Sequence, residues 1–165
     1  MAAGSTYTPI ATTTLGSAQA TVTFNSFSGY TDLILVTNTK GSTTNYPKIN
    51  FNSDTGNNYS RTVLTGSGSA ATSGRQSNVG RIDLTSNASN SSAEFNLNTI
   101  THILNYSNST TYKTILVRAN NASDGVDAIV GLWRNTNAIT SFEIGLNTGN
   151  FATGSTFTLY GILAA

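Results

Sequence analysis

The chain has one histidine, His102, seven carboxylates and no cysteine, so few kinds of chemistry are open to it. Thiolate sites need cysteine, and an imidazole metal site needs a second ligand of its kind. His102 lies in TITHILNY on the alternating face that carries Ile100 and Leu104. No serine or acid beside it forms a nucleophile motif. It reads as a strand residue, packed or at the solvent edge.

The carboxylates are Asp32, Asp54, Asp83, Glu94, Asp124, Asp127 and Glu143. A glycosidase needs two of them converging on one bond, and their spacing shows no convergence. Asp32, Asp54 and Asp124 fall where Asp stabilises turns. NSDTGNN (Asn52 to Asn58) has the composition of a calcium loop, but Gly56 comes one position early, and Val63 stands where the bidentate Glu belongs. SDGVD offers Asp124 and Asp127 as a looser ion site. GSGSAA (Gly66 to Ala71) matches a dinucleotide fingerprint, yet TSGRQSN cannot form the helix that must follow. The stretch from Gly66 to Asn78 is expected to be a loop. No catalytic, cofactor or metal residue is assigned, and no enzymatic activity is expected. The aromatics Tyr46, Tyr59 and Trp133, beside polar loops, are the candidates for contact with a partner.

The elements that must position these residues follow from composition. At 165 residues the chain suits one domain with one core. Charged residues are 9% of it, against about 25% in an average soluble protein. Its polar surface must therefore be built from Thr, Ser and Asn. The eight basic residues are scattered and the net charge is +1, which disfavours nucleic acid, whose binding needs a clustered basic face. The start lacks a basic segment and an apolar run, and no stretch approaches the ~20 apolar residues of a spanning helix. The expectation is a protein made in a cytosol, away from membranes. Asn-x-Ser/Thr triplets at Asn58, Asn87, Asn90, Asn105, Asn108 and Asn121 are then chance products of composition.

Short alternating runs between Gly, Ser, Asn and Thr clusters indicate an all-β domain. Strands are expected at Tyr7 to Leu15, Ala20 to Phe24, Asp32 to Thr37, Lys48 to Phe51, Arg61 to Thr65 and Val79 to Leu84. Further strands are expected at Glu94 to Asn98 and Thr99 to Tyr106, either separate or continuous, then at Tyr112 to Ala119, Asp127 to Trp133, Ile139 to Leu146 and Thr156 to Leu163. TITHILNY-SNST-TYKTILVRA is the clearest hairpin. DLILV and AIVGLW are nearly continuously apolar, so both of their faces should be covered. Pro9 suits a sheet edge. The closing strand, with Phe157, Leu159, Gly161 and Leu163 on one face, is expected inside a sheet and in the core. Sandwich, jelly roll and barrel all fit this spacing. The favoured fold is a two-sheet antiparallel β-sandwich of jelly-roll type, a single domain over residues 1–165 with a short N-terminal arm of about six residues.

YTDLILV, FNSDTGNNYS, VGLWRNTNAITSF and GNFATGSTFTLYGI resemble recurring segments of small β-rich structural proteins of tailed bacteriophages, over most of the chain from Tyr7 to Ile162. The resemblance implies a virion component, either a capsid decoration (cement) protein or a tail or fibre module. Met1 is followed closely by the first strand, without shaft, coiled coil or collagen-like repeat, which favours decoration. The expected role is non-enzymatic. The protein would form a homo-oligomer, with a trimer favoured, on the outer capsid surface, contact the major capsid protein, and be synthesised in the host bacterial cytoplasm. The alternative is a tail or tail-fibre module that recognises host-surface carbohydrate through Tyr46, Tyr59 or Trp133. A capsular depolymerase is a third class. Few charges suit a surface that spends its life in contact, since neutral polar groups desolvate more cheaply than ions.

Overall fold

A computed structural model of the chain describes residues 6–86 and 91–163. The first five residues of the expected N-terminal arm, and Asn87 and Asn90, lie outside them. Twelve strands form, and among the described residues no helix is long and apolar enough to cross a membrane. They are β1 (Tyr7–Thr14), β2 (Thr21–Asn25), β3 (Asp32–Thr39), β4 (Pro47–Phe51), β5 (Tyr59–Gly66), β6 (Ala71–Val79), β7 (Ile82–Asp83), β8 (Leu97–Leu104), β9 (Lys113–Asn121), β10 (Gly125–Trp133), β11 (Ser141–Leu146) and β12 (Thr156–Ile162).

Eight strands make one sheet, in the order β1-β12-β3-β8-β9-β10-β5-β6, and four make the other, β2-β11-β4-β7. Every neighbouring pair is antiparallel. The β-sandwich expected from the sequence is present, with its strands divided eight to four. A jelly roll instead builds two Greek keys from eight strands.

Period-two alternation decides which side chains lie between the sheets. In β9, Ile115, Val117 and Ala119 are buried while Leu116, Arg118 and Asn120 are exposed; in β10, Ile129 and Trp133 are buried while Ala128 and Val130 are exposed. Leu33, Leu35, Ile103, Phe157 and Leu159 of the large sheet meet Val22, Phe24, Ile49, Phe51, Phe142 and Ile144 of the small one in a single cluster. Two glycines let the layers approach. A Cβ on Gly131 would lie 2.8 Å from both Ile115 and Ile82, so its absence admits the Ile82 side chain from the small sheet. A Cβ on Gly161 would fall within the ring of Tyr30. The two layers are also tied by charge, since Asp83 of β7 accepts from Arg81 at 2.8 Å and lies 3.6 Å from Arg61 of β5.

The closing strand lies where expected, between β1 and β3, with Phe157 and Leu159 fully buried. Pro9 is on the edge strand β1, at a bulge between Pro9 and Ala11. Leu97–Leu104 is one strand, and it forms the expected hairpin with β9. One expectation is corrected. Within the Gly66 to Asn78 stretch, Ala71–Val79 is a nine-residue strand that pairs with β5 along its length. It is exposed throughout apart from half-buried Val79, so with no face covered it carries no hydrophobic alternation to betray it.

Candidate functional site

A second correction leads to the site. DLILV and AIVGLW do lie mid-sheet and are apolar on both sides, but only the inward side is covered by this chain. The outward side of the eight-stranded sheet exposes Leu64 at 61%, Val126 at 56%, Val130 at 50% and Leu116 at 45%, with Val36 and Ile100 also open. Register sets these residues in rows across the strands. One row runs Tyr160, Ile34, His102, Leu116, Val130, Thr62; the next runs Thr158, Val36, Ile100, Arg118, Ala128, Leu64. An antiparallel sheet with a solvated face ordinarily presents polar residues there. This one presents a contiguous aliphatic patch, the kind of surface that marks interaction sites.

The face is concave. A groove lobe of about 990 Å³ lies over Val36, Leu64, Ile100, Arg118 and Val126. A second, of about 660 Å³, adjoins it over Ile34, His102, Leu116, Val130 and Tyr160. One end is rimmed by amides: Asn96 donates to Asn38 at 2.5 Å, Asn38 to Asn98 at 2.6 Å and Asn98 to Asn120 at 3.4 Å. At the other end His102 Nε2 lies 2.8 Å from the Asp32 carboxylate, which also accepts the Asn105 N–H at 2.6 Å. Tyr7 meets Tyr160 edge-on, with ring centroids 6.4 Å apart.

The aromatics proposed from sequence as contact residues do not belong to this face. Tyr59 and Trp133 are 0% and 1% exposed, stacked on each other at 6.2 Å and packed against Phe51. That correction has a simple cause: both point inward, paired across β5 and β10. Tyr46 is half-buried in the approach to β4 and hydrogen-bonds Arg81, so it too lies away from the groove.

The candidate ion ligands are likewise occupied by the fold. Asp54 accepts from Trp133 Nε1 at 2.8 Å, Asn58 Nδ2 at 2.9 Å and the Gly56 N–H at 2.8 Å. Burial pushes its carboxyl up, but hydrogen bonds from Asn58, Trp133, Gly56 and Asn135 outweigh this and hold it below its usual value. Asp127 is buried and accepts from Thr65 Oγ1 and from Ser86 N and Oγ at 2.6–2.7 Å, whereas Asp124 is exposed in the preceding turn. Among the described residues no three His, Cys, Asp or Glu side chains gather as metal ligands. Gly66 to Ala71 is the tight β5–β6 turn, closed by Ser67 N–H to Ala70 O at 3.0 Å.

Sequence reading missed two further features. His102 is paired to Asp32, 70 residues away, which no local pattern announces. Lys113 is buried, its Nζ donating to the carbonyls of Thr111 at 2.7 Å and Thr136 at 3.0 Å, and burial pushes its amine down. The alternation Lys113, Ile115, Val117 carries that signal. No protein-family model matches the chain, and no curated protein matches it significantly.

Proposed function

We propose that the protein is a non-enzymatic structural component of a tailed-bacteriophage virion, a capsid decoration protein that packs the outward face of its eight-stranded sheet against a neighbouring protein. The observation that carries this reading is the uncovered aliphatic face. A sheet that is apolar on both sides, with only one side covered by its own chain, calls for cover from elsewhere. The resemblance of its segments to small phage structural proteins supplies the setting. The role is then mass-action stabilisation of the shell, because whatever binds only the assembled state shifts the equilibrium towards it. The neighbour in this reading is the major capsid protein, and the protein acts as an oligomer, a trimer, on the outer shell.

The carbohydrate-binding alternative is the weaker reading. Sugars are gripped by exposed aromatic platforms, whereas the large rings here lie in the core and the groove floor is Val, Leu and Ile. Electron microscopy of intact particles tests the proposal directly: hundreds of copies on the head support it, and a handful on the tail overturn it. The double variant Leu64→Asp, Val130→Asp should stay folded yet fail to rebind shells stripped of the protein. Apolar attachment should survive moderate sodium chloride and tighten in sulfate, which strengthens burial. Release at moderate chloride would count against an apolar contact.

A further inference from the structure

We infer that the groove is filled by an apolar segment of a partner protein that carries a carboxylate opposite Arg118, and not by a second copy of this chain. The inference rests on the reading above, in which the face is a packing surface.

Arg118 stands in the middle of the aliphatic patch. Its cross-strand neighbours are Ile100 and Ala128, Leu116 lies two residues along its own strand, and it lines both lobes of the groove. It is exposed, and among the described residues no acceptor lies within hydrogen-bond or ion-pair distance of it. A purely apolar cover would bury this guanidinium unpaired, which is strongly unfavourable. The cover must bring an acceptor, and a carboxylate matches the planar fork of Arg best.

A second copy cannot supply one. A two-fold contact sets the same patch on both sides. The outward strand positions hold Arg118, Arg75 and His102 against a single carboxylate, Asp32, already engaged by His102 and by the Asn105 N–H. Face on face, the molecule would set cation against cation. From β12 to β5 the patch spans five strand spacings, about 24 Å. That length is matched by roughly seven residues of extended chain, so a short strand-like segment with alternate apolar side chains and one acid suffices.

The test uses the full chain and shells stripped of it, with retention measured against concentration for the wild type and for Arg118→Lys, Arg118→Gln and Arg118→Glu. All four should keep the wild-type circular dichroism and melting temperature, because the side chain is exposed. The expected order is wild type, Lys, Gln, Glu, with Gln weakened about tenfold or more and Glu further still. Loss of stem packing alone would weaken Gln and Glu equally, so the gap between them reads the opposing charge. Wild type that fails to bind shells defeats the packing-surface reading and this inference together. Wild type that binds, with Gln and Glu matching it or matching each other, overturns the inference alone. A dimer in sedimentation that strengthens when wild type is mixed with Arg118→Glu overturns it in favour of a second copy.

Discussion

Raising the pH should expose the buried Tyr59 hydroxyl as an alkaline weak point, and Tyr59→Phe should remove it. Tyr59 is fully buried, with its hydroxyl donating to the Asp54 carbonyl at 3.0 Å and accepting the Phe51 N–H at 3.1 Å. Burial, helped by the charge of Asp54 and opposed by hydrogen bonds with Phe51 and Asn50, pushes its pKa from 10.0 up to about 12. The folded protein therefore keeps this proton where the unfolded chain has lost it. The stability it contributes is complete below pH 10 and drains away as the pH rises towards 12. At about 1.4 kcal/mol per unit, the loss is roughly 3 kcal/mol in full and between about 1 and 2 kcal/mol at pH 11.

The assay is urea denaturation of wild type and Tyr59→Phe at pH 9 and pH 11, followed by far-ultraviolet circular dichroism. At pH 9 the variant should be weaker by about 1–3 kcal/mol, because it strands the Phe51 N–H. At pH 11 that gap should shrink by between about 1 and 2 kcal/mol. Lys113 works the other way: burial lowers its pKa below 10.5, so its cost to the fold is relieved as pH rises towards that value. The term is common to both proteins and cancels in the comparison. A gap that stays constant from pH 9 to pH 11 would refute the assignment of Tyr59 as a buried, proton-retaining group.

Three further outcomes are expected. Phe157→Ala removes a fully buried ring set edge-on to Phe151 at 5.0 Å, and should cost about 3–5 kcal/mol in chemical denaturation; a loss below about 1 kcal/mol would contradict its place in the core. Gly161→Ala forces the Tyr30 ring away and should destabilise by about 1–3 kcal/mol, whereas in a Tyr30→Ser background the same change should cost less, a non-additivity that a double-mutant cycle measures. Asp54 has a folded pKa held below 3.8, so its contribution is present above that value and fades as pH falls further; Asp54→Asn should flatten the acid limb of the stability curve below about pH 4, while EDTA at neutral pH should leave the melting temperature unchanged.

How much of this was legible in the sequence depended on whether burial left a pattern. The β8–β9 hairpin alternates cleanly because one of its faces is in the core, and its register could be read from Ile100 to Tyr106. β6 could not be read, since a strand held only by backbone bonds at a sheet edge imposes no period on its side chains. The placing of Tyr59 and Trp133 failed for a different reason: NNYS and LWRNT look like loop ends, and composition near a turn was given more weight than parity. Counting by twos from Ile129 through Gly131 reaches Trp133 on the inward face, and pairing carries the same face to Tyr59.

The candidate site was half legible. Continuous apolarity in DLILV and AIVGLW correctly announced strands with no polar face, but a sequence cannot say whose atoms do the covering. That the uncovered face is a device of function, and not a by-product of low charge, follows from comparing the two outer surfaces. If scarcity of charge alone set the surface, both would look alike. On the four-stranded sheet the outward row is Thr23, Glu143, Asn50, with Thr21 and Lys48 beside it, which is ordinary solvated sheet. On the eight-stranded sheet the corresponding positions are Val36, Ile100, Leu116, Val130 and Leu64. Threonine has strand propensity comparable to valine and nearly its shape, and this chain uses it freely elsewhere, so aliphatic side chains on an open face were not forced by the need to form strands. They bring a cost in solubility that threonine would avoid. Such a cost is sustained where the surface is covered in the working state, and the lone unpaired Arg118 at its centre restricts what can cover it.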